Sequence, residues 1–271
     1  MSARAKGSFL VSVLRNDPLT PSSSILVLDR PEGFPDAQPG QFISVRLTDT
    51  LEPLLRRPYS IMDLTADTLS LLVKVIGRGS ALLASQKPGA SLDVIGPLGG
   101  TSFPYPASGK VVFVAGGTGL APFIFAARSW RSGDARPEIH LLYGAEAKDE
   151  LFLELIAGEF TGAHLATIDG SEGYCGDVVR LCEKLLAKGE LPVDHLYSCG
   201  PRGMVRALVR QVGSRFAEHL TSLEAIMACG VGACRGCTVP VWEGERMVNK
   251  AVCSDGTVFA ANAVAWEEWK E

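Results

Sequence analysis

Four cysteines toward one end of the chain carry its most explicit chemistry. Cys229, Cys234 and Cys237 stand in the pattern C-x4-C-x2-C, and fifteen residues separate Cys237 from Cys253. A thiolate is a soft anionic ligand, and this is the spacing of a loop that wraps a 2Fe–2S cluster and takes its fourth ligand from further along. Gly230, Gly232 and Gly236 lie between the ligands. Residues without a side chain let the loop turn and leave backbone N–H groups free to point at sulfur. The other reading of four cysteines is structural zinc, which ordinarily uses two C-x2-C-like knuckles in place of one loop bearing three ligands. The remaining three of the seven cysteines, Cys175, Cys182 and Cys199, share no such pattern. Cys175 and Cys182 read as packing residues.

A second constellation sits where a continuous apolar run, Val111 to Ala115, gives way to Gly116, Gly117, Thr118 and Gly119. A glycine turn between a buried strand and a helix lets a phosphate approach the backbone, whose free N–H groups and helix dipole favour negative charge. Pro122 takes the place of the third Gly or Ala of a Rossmann fingerprint, so the motif is a variant. Glu146, after the next strand, could accept from a ribose 2′-hydroxyl and repel a 2′-phosphate, favouring NAD over NADP; the alternative is a solvated surface glutamate. Cys199, Gly200 and Pro201 end a later strand at the edge where ligands of open α/β sheets lie. Cys199 either borders a nicotinamide there or is a small buried residue closing the strand.

The third group is Arg56-Arg57-Pro58-Tyr59-Ser60. A guanidinium fork suits phosphate, a tyrosine face suits stacking, and a serine hydroxyl suits a ring heteroatom, so together they fit a flavin nucleotide. Val75-Ile76-Gly77-Arg78-Gly79-Ser80 adds another glycine turn, either a pyrophosphate seat or a purely structural one.

These groups need three kinds of scaffold. Residues 8 to 105 read as short strands separated by Pro, Gly, Asp and Ser clusters, with a short helix at Ser80 to Ser85, which predicts an antiparallel β-barrel. After the turn-rich Tyr105 to Gly109, apolar strands alternate with helices: Lys110 to Ala115, Leu120 to Arg131, Ile139 to Tyr143, Asp149 to Ala157, His164 to Ile168, Val178 to Lys188, His195 to Cys199 and Met204 to Phe216. That alternation predicts a parallel, Rossmann-like α/β sheet. Beyond about Leu220 a short cysteine-bearing module remains. The expected fold is therefore multidomain α/β plus β: a β-barrel domain over residues 1–107, a nucleotide-binding α/β domain over 108–220 and a cluster module over 221–271.

Composition narrows the partners. The 271 residues hold 26 Lys and Arg against 30 Asp and Glu, a net charge of −4, which removes the electrostatic case for nucleic acid or an anionic membrane. No apolar run approaches the length of a membrane span, and the N-terminal Phe9 to Leu14 lacks the features of a signal peptide. The expectation is a cytoplasmic protein whose clustered thiols are kept reduced.

The first two modules resemble the ferredoxin–NADP reductase superfamily, on Arg57-Pro58-Tyr59-Ser60, Gly116-Gly117-Thr118-Gly119-Leu120-Ala121-Pro122 and Cys199-Gly200-Pro201. The tail, Ser222 to Cys237 and then Cys253-Ser254-Asp255-Gly256-Thr257-Val258-Phe259, is similar to the electron-transfer subunits of class 1B dihydroorotate dehydrogenases. The resemblance implies FAD contacts at Arg57, Pro58, Tyr59, Ser60, Leu72, Val73, Lys74, Gly79 and Ser80. It implies pyridine-nucleotide contacts at Gly116, Gly117, Thr118, Gly119, Cys199, Gly200 and Pro201, and 2Fe–2S ligands at Cys229, Cys234, Cys237 and Cys253. Thr257 stands where the family commonly has proline, and Glu146 where a basic residue is frequent.

It further implies an FMN-containing catalytic partner that oxidises dihydroorotate in pyrimidine biosynthesis, two copies of each chain, and electrons passing from that FMN through the cluster and FAD to NAD+. No acid–base or nucleophilic constellation stands out in this chain, consistent with substrate chemistry on the partner. Val231, Ala233 and Val239 are candidate apolar contributors to the shared interface, with plain core packing the alternative reading of the same residues. Two rival readings remain. One is a subunit of an NAD(P)H-linked sulfide dehydrogenase or ferredoxin:NADP oxidoreductase, a group in which one family has aspartate at a cluster position, unlike the four cysteines here. The other is a zinc-stabilised nucleotide-binding regulator, which would lack flavin and iron–sulfur absorption.

Overall fold

Alternation of apolar and polar residues, broken by turns, produces six antiparallel strands. The computed structural model describes residues 7–47, 52–132 and 136–269. Its first strands are β1 (Gly7–Thr20), β2 (Ser23–Asp29), β3 (Phe42–Arg46), β4 (Arg57–Leu64), β5 (Thr68–Lys74) and, after the short helix α1 (Arg78–Ala84), β6 (Ser91–Leu98). They close into a barrel in the order β1-β2-β5-β4-β3-β6, which leaves no open edge. On β6 the buried residues are Leu92, Val94, Gly96 and Leu98, the period of two that one packed face imposes. Strand β1 runs past the expected Arg15 to Thr20, through register shifts at Val13/Arg15 and Pro18/Thr20. Such bulges let a strand continue past a proline, which has no N–H to offer the ladder.

The second region contributes β7 (Lys110–Gly116), α2 (Ala121–Ser129), β8 (Glu138–Ala145), α3 (Leu153–Ile156), β9 (Gly162–Thr167), β10 (Tyr174–Cys175), α4 (Val178–Ala187), β11 (His195–Cys199), α5 (Arg202–Gln211) and β12 (Glu218–Ser222). Strands β10-β9-β8-β7-β11-β12 lie side by side and parallel. Central β7 is buried from Val111 onward, as a strand covered on both faces must be. Its two faces belong to different cores, Phe113 packing with α2 and Val112 with α4 and α5.

The helix expected over Asp149–Ala157 is reduced to α3. Leu151 adopts extended backbone, and with Phe152 it turns into the core beneath Tyr143; tertiary burial overrides local propensity here. Helix α5 starts two residues before the expected Met204 and stops at Gln211, ahead of a single turn at Gly213–Arg215.

The tail forms a hairpin of β13 (Thr238–Glu243) and β14 (Arg246–Ala251), then β15 (Val258–Ala260). Strand β15 pairs antiparallel with β12, and β12 itself passes through residue 220, where the expected seam fell. The tail is also tied to the barrel. Thr257 Oγ1 donates to the Gly40 carbonyl at 2.6 Å, and the Gly99 N–H donates to the Cys253 carbonyl at 3.2 Å. The barrel and the sheet are joined by Arg128–Asp63 at 2.6 Å and Lys74–Glu150 at 2.8 Å. Among the described residues no helix is long and apolar enough to cross a membrane.

Candidate functional site

The three regions meet around one cavity of about 670 Å3, a size that suits a small organic cofactor. Strand β4 places Arg57, Pro58, Tyr59 and Ser60 on its wall, β5 places Leu72 and Lys74, and the turn into α1 adds Gly77, Gly79 and Ser80. Arg57 is pinned by donating to the Leu55 carbonyl at 2.8 Å. It lies so close to α1 that a Cβ on Gly79 would stand 3.1 Å from its Nε. Arg56 points elsewhere and pairs with Asp93 on β6. Burial pushes the Tyr59 phenol up to about 12, with Arg57 pulling the other way, so the side chain on the cavity wall stays neutral.

Ser80 Oγ accepts from the Ile76 and Gly77 N–H groups at 2.9 and 3.1 Å and donates to the Gly77 carbonyl at 3.0 Å. Its hydroxyl thus fixes the turn that forms the cavity wall. Val73 lies between two cavity residues, but its side chain is fully buried inside the barrel, so only its backbone can face a ligand.

From the sheet, Thr118 and Cys199 reach the same cavity. Gly116, Gly117, Gly119, Gly200 and Pro201 are not on its wall; they form the seam between the β7 turn and the end of β11. A Cβ on Gly119 would lie 2.2 Å from the Cys199 carbonyl oxygen, so no larger residue fits while these strands remain paired. Gly117 has φ of 53° with nothing near its Cβ position, leaving its backbone open on the carboxyl edge of the sheet. Glu146 is exposed on that edge, and the Asp169 N–H donates to its carbonyl at 3.1 Å.

Sequence reasoning missed the fourth wall. Phe42, Ser222, Leu223, Glu224, Ala225, Met227 and Thr257 line the cavity too. Glu224 is open to water through the cavity yet ringed by protein, and this enclosure raises its carboxyl above the usual range. Burial also raises the Cys199 thiol, with Glu224 adding to the effect. No local signal marks Glu224; it reaches the cavity because β12 lies beside β11.

The cysteine loop follows directly from this wall. Cys229 Sγ accepts from the N–H groups of Val231 and Cys234 at 3.5 and 3.4 Å, Cys253 Sγ from Gly232 at 3.1 Å, and Cys234 Sγ from Gly236 at 3.4 Å. Bonds from the Cys234 and Val231 amides draw the Cys229 thiol down to about 6, whereas burial and the neighbouring Cys237 push Cys253 up to about 11. Amides converging on sulfur stabilise thiolates, the form a cluster requires. One loop carries three of the four thiols and turns its own amides toward sulfur, the arrangement of a two-iron cluster, whereas structural zinc ordinarily uses two C-x2-C-like knuckles. The donor set fits a two-iron cluster better than zinc. Outside the loop, Cys182 is buried and its thiol is pushed up to about 12, but Cys175, expected to pack, is exposed at the short edge strand β10. Of the three residues expected at an interface, Val231 and Ala233 are exposed, and Val239 is fully buried under the hairpin.

A family model described as the iron–sulfur cluster binding domain of dihydroorotate dehydrogenase B matches residues 224–265, and an oxidoreductase NAD-binding domain matches residues 113–210. The dihydroorotate dehydrogenase B (NAD(+)) electron transfer subunit of Bacillus caldolyticus is 38% identical over 232 residues, 84% of this chain and 86% of that protein. Its counterpart from Desulforamulus reducens is 34% identical over 256 residues, 92% of this chain and 95% of that one. Among solved structures, an NADH-dependent reduced ferredoxin-NADP oxidoreductase studied for flavin-based electron bifurcation is similar with a TM-score of 0.81 at 27% identity. That match covers 97% of this chain and 92% of the other.

Proposed function

We propose, from the premise that this chain belongs to the family of dihydroorotate dehydrogenase B electron-transfer subunits, that it carries electrons between a dihydroorotate-oxidising partner and NAD+. The observation that carries this reading is a shared wall: Leu223, Ala225 and Met227 line the cavity, and the same segment runs directly into Cys229. A flavin exchanges hydride with a nicotinamide and single electrons with an iron–sulfur cluster, so FAD belongs in the cavity and a 2Fe–2S cluster in the loop.

Arg57 and the turn at Gly77–Ser80 would hold the pyrophosphate, Tyr59 and Leu72 the ring system, and Ser60, Cys199 and Glu224 the side that a nicotinamide approaches. Thr118 and the open backbone at Gly117 would take the phosphates of NAD, while Glu146 and Asp169 on the same edge repel a 2′-phosphate. Cys229, Cys234, Cys237 and Cys253 would bind the cluster. The partner is a catalytic subunit containing FMN, in a complex of two copies of each chain in the cytoplasm, and the exposed Val231 and Ala233 belong to the face it covers.

Co-expression tests this. A dihydroorotate-oxidising, FMN-containing chain should co-purify, and the complex should reduce NAD+ with dihydroorotate. Recovery of a ferredoxin-linked partner in its place would support the second reading, a ferredoxin:NADP oxidoreductase subunit, which the similarity to the bifurcating enzyme favours. A preparation without flavin or iron absorption would remove both.

A further inference from the structure

Between the cavity and the cysteine loop lies a layer of buried apolar side chains. Phe42 lines the cavity and pairs with Ser60 on one side and Leu98 on the other. Leu98 is fully buried and is not on the cavity wall. It shares one packed cluster with Phe42, Val252, Cys237 and Cys253. Its neighbour Gly99 donates to the Cys253 carbonyl at 3.2 Å. On the loop side, a Cβ at Gly230 would stand 3.9 Å from Leu98 Cδ1. Leu98 therefore lies between Phe42 and both ends of the cysteine loop.

The same layer divides the four thiols. Cys237 and Cys253 are 2% and 0% exposed and face inward, their sulfurs 3.2 Å apart. Cys234 is exposed and Cys229 half-buried, among the exposed Val231 and Ala233.

We propose that Leu98 is a positioning residue for electron transfer. It seats the inner cysteine pair against Phe42, so that electrons cross between flavin and cluster through the Phe42–Leu98 contact while the outer pair faces the partner. The proposal rests on the flavin and cluster assignment above. Its physical basis is packing: electron tunnelling falls off more steeply across a void than through atoms in contact, and a truncated core side chain leaves such a void.

The test is anaerobic stopped-flow on the purified complex. NADH and one proton convert the flavin to its two-electron-reduced form. One electron then passes to the oxidised cluster and one proton is released. In Leu98→Ala, flavin bleaching by NADH should keep its wild-type rate, because Leu98 does not touch the cavity, while cluster bleaching slows several-fold. Redox titration should show both potentials unmoved, and hydrogen exchange at the Gly99 amide should quicken. Leu98→Met conserves volume and should retain the wild-type transfer rate.

A Leu98→Ala complex with both cofactors and wild-type cluster bleaching would overturn the proposal. So would slower bleaching explained by a shifted potential. If the alanine variant does not fold, Leu98→Val takes its place, and equal transfer rates in the valine and methionine variants would overturn it. Wild-type protein without flavin or iron would fail earlier and differently, removing the functional reading and this proposal together.

Discussion

The cysteine loop and the cavity beside it are built in opposite ways. Three of the four cysteines proposed as cluster ligands lie within nine consecutive residues, Cys229 to Cys237, and the amides that donate to their sulfurs come from the same loop. The cavity draws on β4, β5, the turn at α1, the β7 turn, β11 and the segment after β12. A local site is specified by spacing, and its failure is local. A site assembled from distant strands depends on every contact that docks those strands. Removing one group should therefore abolish the first and only weaken the second.

The largest expected effect is in the loop. Cys234→Ala removes one of the four thiols proposed to bind the cluster, and the loop from Cys229 to Cys237 holds no spare cysteine to take its place. Iron content and electron transfer to the partner should be lost, while NADH oxidation by an artificial acceptor through FAD persists. Unchanged iron by colorimetric assay would sink the ligand assignment, and parallel loss of flavin would show that the two sites are less separable than their construction suggests. Next comes Arg57→Ala. A charge-assisted hydrogen bond contributes about 1.5–3 kcal/mol, so FAD should dissociate roughly ten- to a hundredfold more readily, with iron intact. Full flavin occupancy after dialysis would reject the role of Arg57.

This contrast also explains what could be read without a structure. The spacing of Cys229, Cys234 and Cys237 is one-dimensional information, and so is the strand–glycine–helix passage at Gly116 to Gly119. The barrel residues Arg57, Tyr59 and Ser60 were legible because one strand presents them together. Glu224 was not, because nothing around it in sequence differs from an ordinary loop; only the pairing of β11 with β12 brings it beside Cys199. Val73 and Val239 show the converse limit. A period of two says that neighbouring residues face opposite ways, but it takes the closed barrel and the packed hairpin to decide which way is inward. The shortened α3 and the sheet strand β15 have the same origin: Phe152 and Val258 are placed by burial in a core that local propensity does not encode.

A smaller effect should appear at Glu224. Its carboxyl is raised by enclosure, so the ionised form is disfavoured in the folded state. The resulting cost is absent below the unfolded carboxylate range, grows as pH rises through it, and is fully present above the raised folded value. Glu224→Gln removes the ionisation, so the variant should gain melting temperature over wild type at pH 8 and lose that advantage near pH 4. Melting curves that stay parallel across this range would mean that the recess solvates the carboxylate as bulk water does.

The smallest effect tests how the distributed site is held together. Lys74 and Glu150 join the cavity strand β5 to the nucleotide-binding region at 2.8 Å, with side chains 27% and 36% exposed. A partly exposed pair of this kind contributes about 0.2–1 kcal/mol, and salt screens it. Glu150→Gln should therefore lower stability by less than about 1 kcal/mol in denaturant titration, with the difference shrinking at high salt and with flavin and iron contents unchanged. The reason is redundancy: the same boundary is closed by Arg128 paired with Asp63 and by Phe103 packed on Phe123 and Tyr197, so no single contact determines how the strands dock. Flavin loss in Glu150→Gln would break the comparison, because the cavity would then depend on one group as strictly as the loop depends on each cysteine.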